Sequence, residues 1–265
     1  MDKIKLWENG TPYFNPEYGA EEPALVPYLV KNGNKDKGMI IICPGGGYFQ
    51  MSAQHEGIDV AKMLNQAGIS AAVLYYRIKP YRHPAMISDA NRAVRLARYH
   101  AEEWEINPEK IGILGFSAGG HLAVTACENF DDGLMDGDEI DRVSSRPNAG
   151  ILCYPVVTLS PQYTHMGTRE ALLGAEPDPT LEWQLSGENS VPDDCPPLFI
   201  WHTAADEAVH VNNSLNLAKA LKAKSIPFEL HIFPEGPHAL GLAETFPHVH
   251  QWTALAVNWL KTYGF

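Results

Sequence analysis

Ile111-Gly112-Ile113-Leu114-Gly115-Phe116-Ser117-Ala118-Gly119-Gly120 is the stretch whose reading decides the fold. The apolar run Ile111 to Phe116 predicts a buried strand, and Gly120 to Asn129 predicts a helix. Between them lies a Gly-x-Ser-x-Gly pattern, Gly115-Phe116-Ser117-Ala118-Gly119. Strand, sharp turn and helix in that order hold a serine out over the end of a sheet. The helix N-terminus then favours negative charge beside it. Five residues are a short pattern, so the surrounding chain must carry the reading.

Outward from this stretch, strand-like and helix-like segments alternate. Strands are expected at Ala24 to Val30, Met39 to Cys43, Ser70 to Tyr76, Gly150 to Tyr154, Leu198 to Thr203 and Phe228 to Phe233. Helices are expected at His55 to Ala67, Ser88 to Ala101, Ser117 to Asn129, Val211 to Ala223 and His248 to Tyr263. In the second of these, Arg92, Arg95 and Arg98 are expected on the outer side. The repeated β-α-β order implies an α/β fold with a mainly parallel sheet and helices on both faces. Ligands of such sheets bind at the carboxyl ends of the strands. Pro155 to Pro197 breaks the alternation, with only short helical pieces such as Thr168 to Leu173. So long an irregular stretch reads as a lid or substrate-shaping insertion.

The length of 265 residues suits one large domain, 1–265, better than two small ones. The net charge of -12 argues against nucleic acid, whose phosphates call for clustered Lys and Arg. Cys43, Cys127, Cys153 and Cys195 form no Cys-x-x-Cys pair, which favours reduced structural thiols over a metal site or disulfide. The first ten residues contain no apolar signal-peptide core, and no run approaches a membrane span. A cytoplasmic protein without membrane contact is therefore expected. The partners expected are a small acylated molecule and, at most, a second copy of the chain as a homodimer.

A serine hydroxyl needs a general base, the base an orienting acid, and the developing oxyanion a set of donors. Asp206 follows the strand Leu198 to Thr203 in Ala204-Ala205-Asp206-Glu207, with Glu207 as its competitor. Among eleven histidines, His202 and His231 fall inside strands, and His248 and His250 at the last helix. His121, in the first turn after the serine, reads as structural. His238 follows the last strand in an irregular loop, Pro234 to Ala239, which suits a general base. The chain order Ser117, Asp206, His238 is that of an α/β-hydrolase triad. The strand Met39 to Cys43 runs into Pro44-Gly45-Gly46-Gly47-Tyr48, where glycines let backbone N–H groups turn into a cavity. The expected oxyanion donors are the amides of Gly46 or Gly47 and of Ala118.

Other signals are weaker. The acidic stretch Asp131 to Asp141 fails EF-hand spacing at Ile140 and reads as a solvated loop. No metal cluster of the His-Glu-x-x-His kind appears, and no cofactor is called for. Tyr48, beside the glycine loop, and Trp183, in the insertion, are candidates to line a substrate cleft.

Ile41 to Tyr48 with Glu56-Gly57, Tyr75-Tyr76-Arg77, Asp89 to Ala93, Ile111 to Ala123 and Pro196 to Val211 together resemble α/β-hydrolase esterases. The similarity is to the acetyl-xylan esterase type, also called endo-1,4-β-xylanase B-like, and it spans nearly the whole chain. The resemblance implies a mostly parallel eight-stranded sheet and carries Ser117, Asp206 and His238 over as nucleophile, acid and base. It carries Gly46, Gly47 and Ala118 to the oxyanion hole, and implies attack on acetyl, sometimes feruloyl, esters of sugars. Pro44 departs from the His-Gly-Gly-Gly of lipase-like relatives, while Ala205 and His210 replace an aspartate and a proline common among relatives. Three rivals remain open: an arylformamidase-like amide hydrolase, a dead binding module that kept the fold, and a metal-dependent deacetylase.

Overall fold

The computed structural model describes residues 3–8, 10–19, 22–31 and 36–265. Met1, Asp2 and Asn9, part of the N-terminal run expected to lack a signal core, lie outside them. The chain forms β1 (Ile4–Lys5), β2 (Ala24–Tyr28) and β3 (Met39–Cys43), then a π-helical turn, Gln54–Ile58, that feeds α1 (Asp59–Gln66). Next come β4 (Ser70–Tyr75), α2 (Ala85–Tyr99), β5 (Ile111–Phe116), α3 (Ser117–Glu128) and β6 (Ala149–Cys153). Three short helices follow, α4 (Met166–Leu173), α5 (Pro179–Gln184) and α6 (Gly187–Ser190). The chain closes with β7 (Leu198–Thr203), α7 (Asn212–Ala223), β8 (Phe228–Phe233), α8 (Pro247–His250) and α9 (Trp252–Thr262).

The strands form one eight-stranded sheet in the order β1-β2-β4-β3-β5-β6-β7-β8. Among the described residues, only the β1–β2 and β2–β4 pairs are antiparallel. From β3 the chain crosses to β4 on one side and then returns to β5 on the other. A crevice opens at such a reversal, outside the carboxyl ends of the two strands. Register makes the crevice narrow. Cys43 pairs with Gly115, so the glycine loop leaves β3 level with Phe116 and Ser117. Phe116 pairs with Cys153, and Thr203 with Phe233, so the neighbouring strand ends are level too.

Two cores flank the sheet. Ile41, Ile113, Leu152 and Ile200 pack with residues of α2, α3 and α7 on one face. Ile40, Ile42, Leu114, Ile151 and Trp201 pack with residues of α1 and α9 on the other. Alternate residues of one strand thus serve opposite cores, which is why these strands read as continuous apolar runs. Each such Leu or Ile contributes roughly 1.5–3 kcal/mol on burial. Trp252 of α9 stacks on Trp201 of β7 with centroids 5.1 Å apart. All four cysteines are free and buried. Among the described residues, no helix is long and apolar enough to cross a membrane.

The sequence expectations meet several corrections. The strand expected to Val30 ends at Tyr28, and the two-residue β1 had no legible pattern. The helix expected from His55 begins with the π-helical turn, and the one expected over His248 to Tyr263 is broken at Gln251. The helix expected from Ser88 begins at Ala85. Arg92 and Arg95 do not face solvent: they are 2% and 4% exposed. The acidic stretch Asp131 to Asp141 is accordingly no free solvated loop. It folds over α2, where Asp138 and Asp141 pair with Arg92 at 2.6 and 2.7 Å and Asp131 pairs with Arg95 at 2.5 Å. Guanidinium groups are tolerated inside only when paired, and these carboxylates supply the pairing. The Arg92 hydrogen bond draws the Asp138 carboxyl down to about 2.

Candidate active site

Three side chains from three strand ends converge. Ser117 stands at the junction of β5 and α3 with φ +53°, a left-handed conformation costly for any residue but glycine. Crowding imposes that turn. A Cβ on Gly119 would stand 2.1 Å from the Cys43 carbonyl oxygen, and one on Gly115 would stand 2.0 Å from that of Gly119. Only glycine lets α3 start this close to β3. Ser117 Oγ lies 2.8 Å from His238 Nε2, and His238 Nδ1 lies 2.6 Å from Asp206 Oδ2. Charge on Asp206 makes Nδ1–H the donor, which leaves the Nε2 lone pair facing the serine hydroxyl. The relay can therefore take the hydroxyl proton as oxygen attacks an acyl carbon.

Asp206 is held on every side. Its Oδ1 accepts from Ala208 N and Val209 N, both at 2.9 Å. Its Oδ2 faces His202 Nε2 at 3.4 Å as well as His238. Burial alone raises a carboxyl, but the bonds from His202, His238 and Val209 outweigh it and hold Asp206 well below the usual range. Glu207, the competitor, is exposed. His202 was set aside as a strand residue, yet it is fully buried behind the acid. It bonds Val209 O through Nε2 and Ser214 Oγ through Nδ1. Its place one residue before the end of the strand that leads to Asp206 was the only signal for it.

The glycine loop lies against the serine: a Cβ on Gly45 would be 3.1 Å from Ser117 Cβ. Gly46 and Gly47 have φ +130° and +66°, and the turn closes through bonds from Phe49 N and Gln50 N to Gly46 O. Among the described residues, no protein acceptor takes the Gly46 or Gly47 amide. Ala118, in the first turn of α3, has its N–H at a helix end where no intrahelical acceptor exists.

Tyr48 is not a cleft residue. It is 1% exposed, with its ring against Tyr76 and its hydroxyl 3.0 Å from His121 Nδ1. The reason is its left-handed φ of +62°, which turns the side chain inward from the glycine loop. His121 Nε2 in turn donates to Leu185 O, tying the insertion to this loop. Burial lowers the His121 pKa to about 4. Trp183 on α5 is 58% exposed, and no hydrogen bond or ring contact joins it to Ser117, Asp206 or His238. His165, unremarked in the sequence, brings the insertion to the site. It caps α4 by accepting from Thr168 N, and burial followed by the like charge of His238 lowers its pKa. Phe49, half exposed, and His165 both lie next to Gly167. Among the described residues, no group of three His, Cys, Asp or Glu converges as a metal site.

Level strand ends, a crevice between β3 and β5, and a left-handed serine between strand and helix define an α/β hydrolase. Residues 26–221 match the BD-FAE family model, and the chain belongs to that family. It is similar to an acetyl ester-xyloside bifunctional hydrolase from Caldicellulosiruptor lactoaceticus. The two share 48% identity over 100% of this chain and 97% of that one, with a TM-score of 0.96. It is 38% identical to endo-1,4-beta-xylanase B of Butyrivibrio fibrisolvens, over 90% of this chain and 38% of that protein. It is 34% identical to acetylxylan esterase of Xylanibacter ruminicola, over 84% of this chain and 45% of that protein. The chain thus spans less than half the length of these last two relatives.

Proposed function

We propose that the chain is a serine carboxylesterase that removes acetyl groups from sugars or short oligosaccharides. The observation that carries this is the continuous relay from Ser117 Oγ to His238 at 2.8 Å and on to Asp206 at 2.6 Å. The names of the acetylxylan esterase and the acetyl ester-xyloside hydrolase support the acetyl group and the sugar. Ser117 attacks the acetyl carbon while His238 Nε2 takes its proton. Asp206 keeps Nδ1 protonated and stabilises the imidazolium. The oxyanion forms toward the free amides of Gly46, Gly47 and Ala118, each such donor being worth about 3 kcal/mol in the transition state. His238 returns the proton to the leaving sugar hydroxyl, then activates the water that releases acetate. In this reading His165 of the insertion and Phe49 of the glycine loop, neighbours at Gly167, border the bound ester. Ser117→Ala tests the reading. The variant should fold and lose nearly all hydrolysis of p-nitrophenyl acetate and acetylated xylobiose, whereas undiminished turnover overturns the assignment.

A further inference from the structure

Glu56 is buried at 1% exposure, and among the described residues no lysine or arginine pairs with it. Its two oxygens point in different directions. Oε2 accepts from Gly45 N at 2.9 Å, at the root of the glycine loop. Oε1 accepts from the Tyr154 hydroxyl at 2.6 Å, and that hydroxyl accepts from Gly241 N at 2.8 Å. Gly241 is three residues past His238. The preceding residue in the same π-helical turn, His55, bonds Ala239 O through Nε2 at 3.0 Å. The Tyr154 ring stands edge-on to the His238 ring, with centroids 4.9 Å apart.

We propose that Glu56, acting through Tyr154, is a positioning residue that sets the oxyanion loop and the general-base loop in register. The proposal rests on the serine-hydrolase reading. Fixing the Gly45 amide fixes the direction of the peptides that follow it, Gly46 and Gly47, while fixing Gly241 and Ala239 fixes the backbone beside His238. One rigid carboxylate fork reaches both loops, and a neutral amide side chain cannot accept at both ends. A lone carboxylate in a core is a costly way to satisfy one amide and one hydroxyl, so simple packing does not account for it. It faces Tyr154 and Cys153 at the end of β6, Tyr76 after β4, His55 in its own turn, and His238. Of these groups only the two histidines become cations. Burial raises the Glu56 carboxyl above its usual range, and the bonds from Tyr154 and Gly45 and the two histidines act against that rise. In its ionised form it adds to Asp206 in favouring the imidazolium that forms on His238.

The test uses purified Glu56→Gln and Tyr154→Phe proteins with p-nitrophenyl acetate and acetylated xylobiose. Both should lose kcat by about 10- to 100-fold with KM within about threefold, since positioning acts on the chemical step. Removing the negative charge makes protonated His238 less favoured. The acid limb of kcat/KM should therefore move to lower pH in Glu56→Gln; Tyr154→Phe, which removes one bond that holds the carboxyl ionised, should move it the same way but by no more than Glu56→Gln does. Should Glu56→Gln fail to fold, the kcat-against-KM split in Tyr154→Phe decides. Variants with parental kcat, or a Glu56→Gln whose only change is a lower melting temperature, overturn the proposal. Turnover persisting in Ser117→Ala would instead sink the underlying reading. A dead Ser117→Ala beside a fully active Glu56→Gln sinks only the positioning role.

Discussion

Asp206→Asn is the sharpest test of the relay, because the structure dictates which way the new amide must point. Asp206 Oδ1 accepts two backbone amides, Ala208 N and Val209 N, each at 2.9 Å. The asparagine oxygen must take that position. The reverse orientation would set NH2 against two N–H groups and leave both buried donors unmade, at about 1–3 kcal/mol apiece. The NH2 then faces His238 Nδ1, where Oδ2 stands at 2.6 Å in the parent. It donates, and the imidazole is driven to the tautomer with its hydrogen on Nε2. That nitrogen can no longer accept the proton of Ser117, 2.8 Å away. The loss expected for a wrong tautomer in a serine triad is on the order of 10⁴ in kcat, equivalent to about 5.5 kcal/mol of barrier. The Asp206 carboxylate is fully buried behind His238, so KM should change little. Steady-state hydrolysis of p-nitrophenyl acetate at neutral pH, with circular dichroism to confirm folding, measures it. A folded Asp206→Asn enzyme that keeps more than about a tenth of the parental kcat would refute the tautomer argument.

Two further outcomes follow from the same geometry. Gly119→Ala drives a Cβ to 2.1 Å from the Cys43 carbonyl oxygen and 2.5 Å from that of Pro44, and both are backbone atoms at the end of β3. We expect a loss of roughly 3 kcal/mol in a urea titration, and an unchanged midpoint would contradict the close approach. His121 is neutral in the fold, with its pKa lowered to about 4 by burial, while in the unfolded chain it titrates near 6.5. A depressed histidine takes up its proton first in the unfolded state. Its contribution is therefore fully present above about pH 6.5 and shrinks by roughly 3 kcal/mol as pH falls toward 4. His121→Gln should flatten the fall in stability between pH 7 and 4 by about that amount, and an unaltered slope would show that His121 is not the group responsible.

The alternation of apolar strands and amphipathic helices, and the placement of Ser117, Asp206 and His238 after their strands, were legible in the sequence for one physical reason. A doubly wound sheet delivers the carboxyl end of each of its parallel strands to the same edge, so position in the chain predicts position in space. The glycine loop was legible for the same reason, since Cys43 and Gly115 share one register. Local pattern failed where a distant segment supplied the partner. Arg92 and Arg95 read as a solvated face because nothing near α2 in sequence says that Asp131, Asp138 and Asp141 will cover it. Tyr48 read as a cleft aromatic because sequence does not show which way a left-handed residue sends its side chain. Glu56 and Tyr154 lie 98 positions apart, and no periodicity links them. What the sequence determined by itself was the order of elements and the chemistry at each strand end, because both depend on short-range propensity and burial. What only the tertiary structure decided was which buried polar groups satisfy one another. Those bonds form between segments brought together by the sheet, and a polar group taken out of water must find its partner wherever the fold places it.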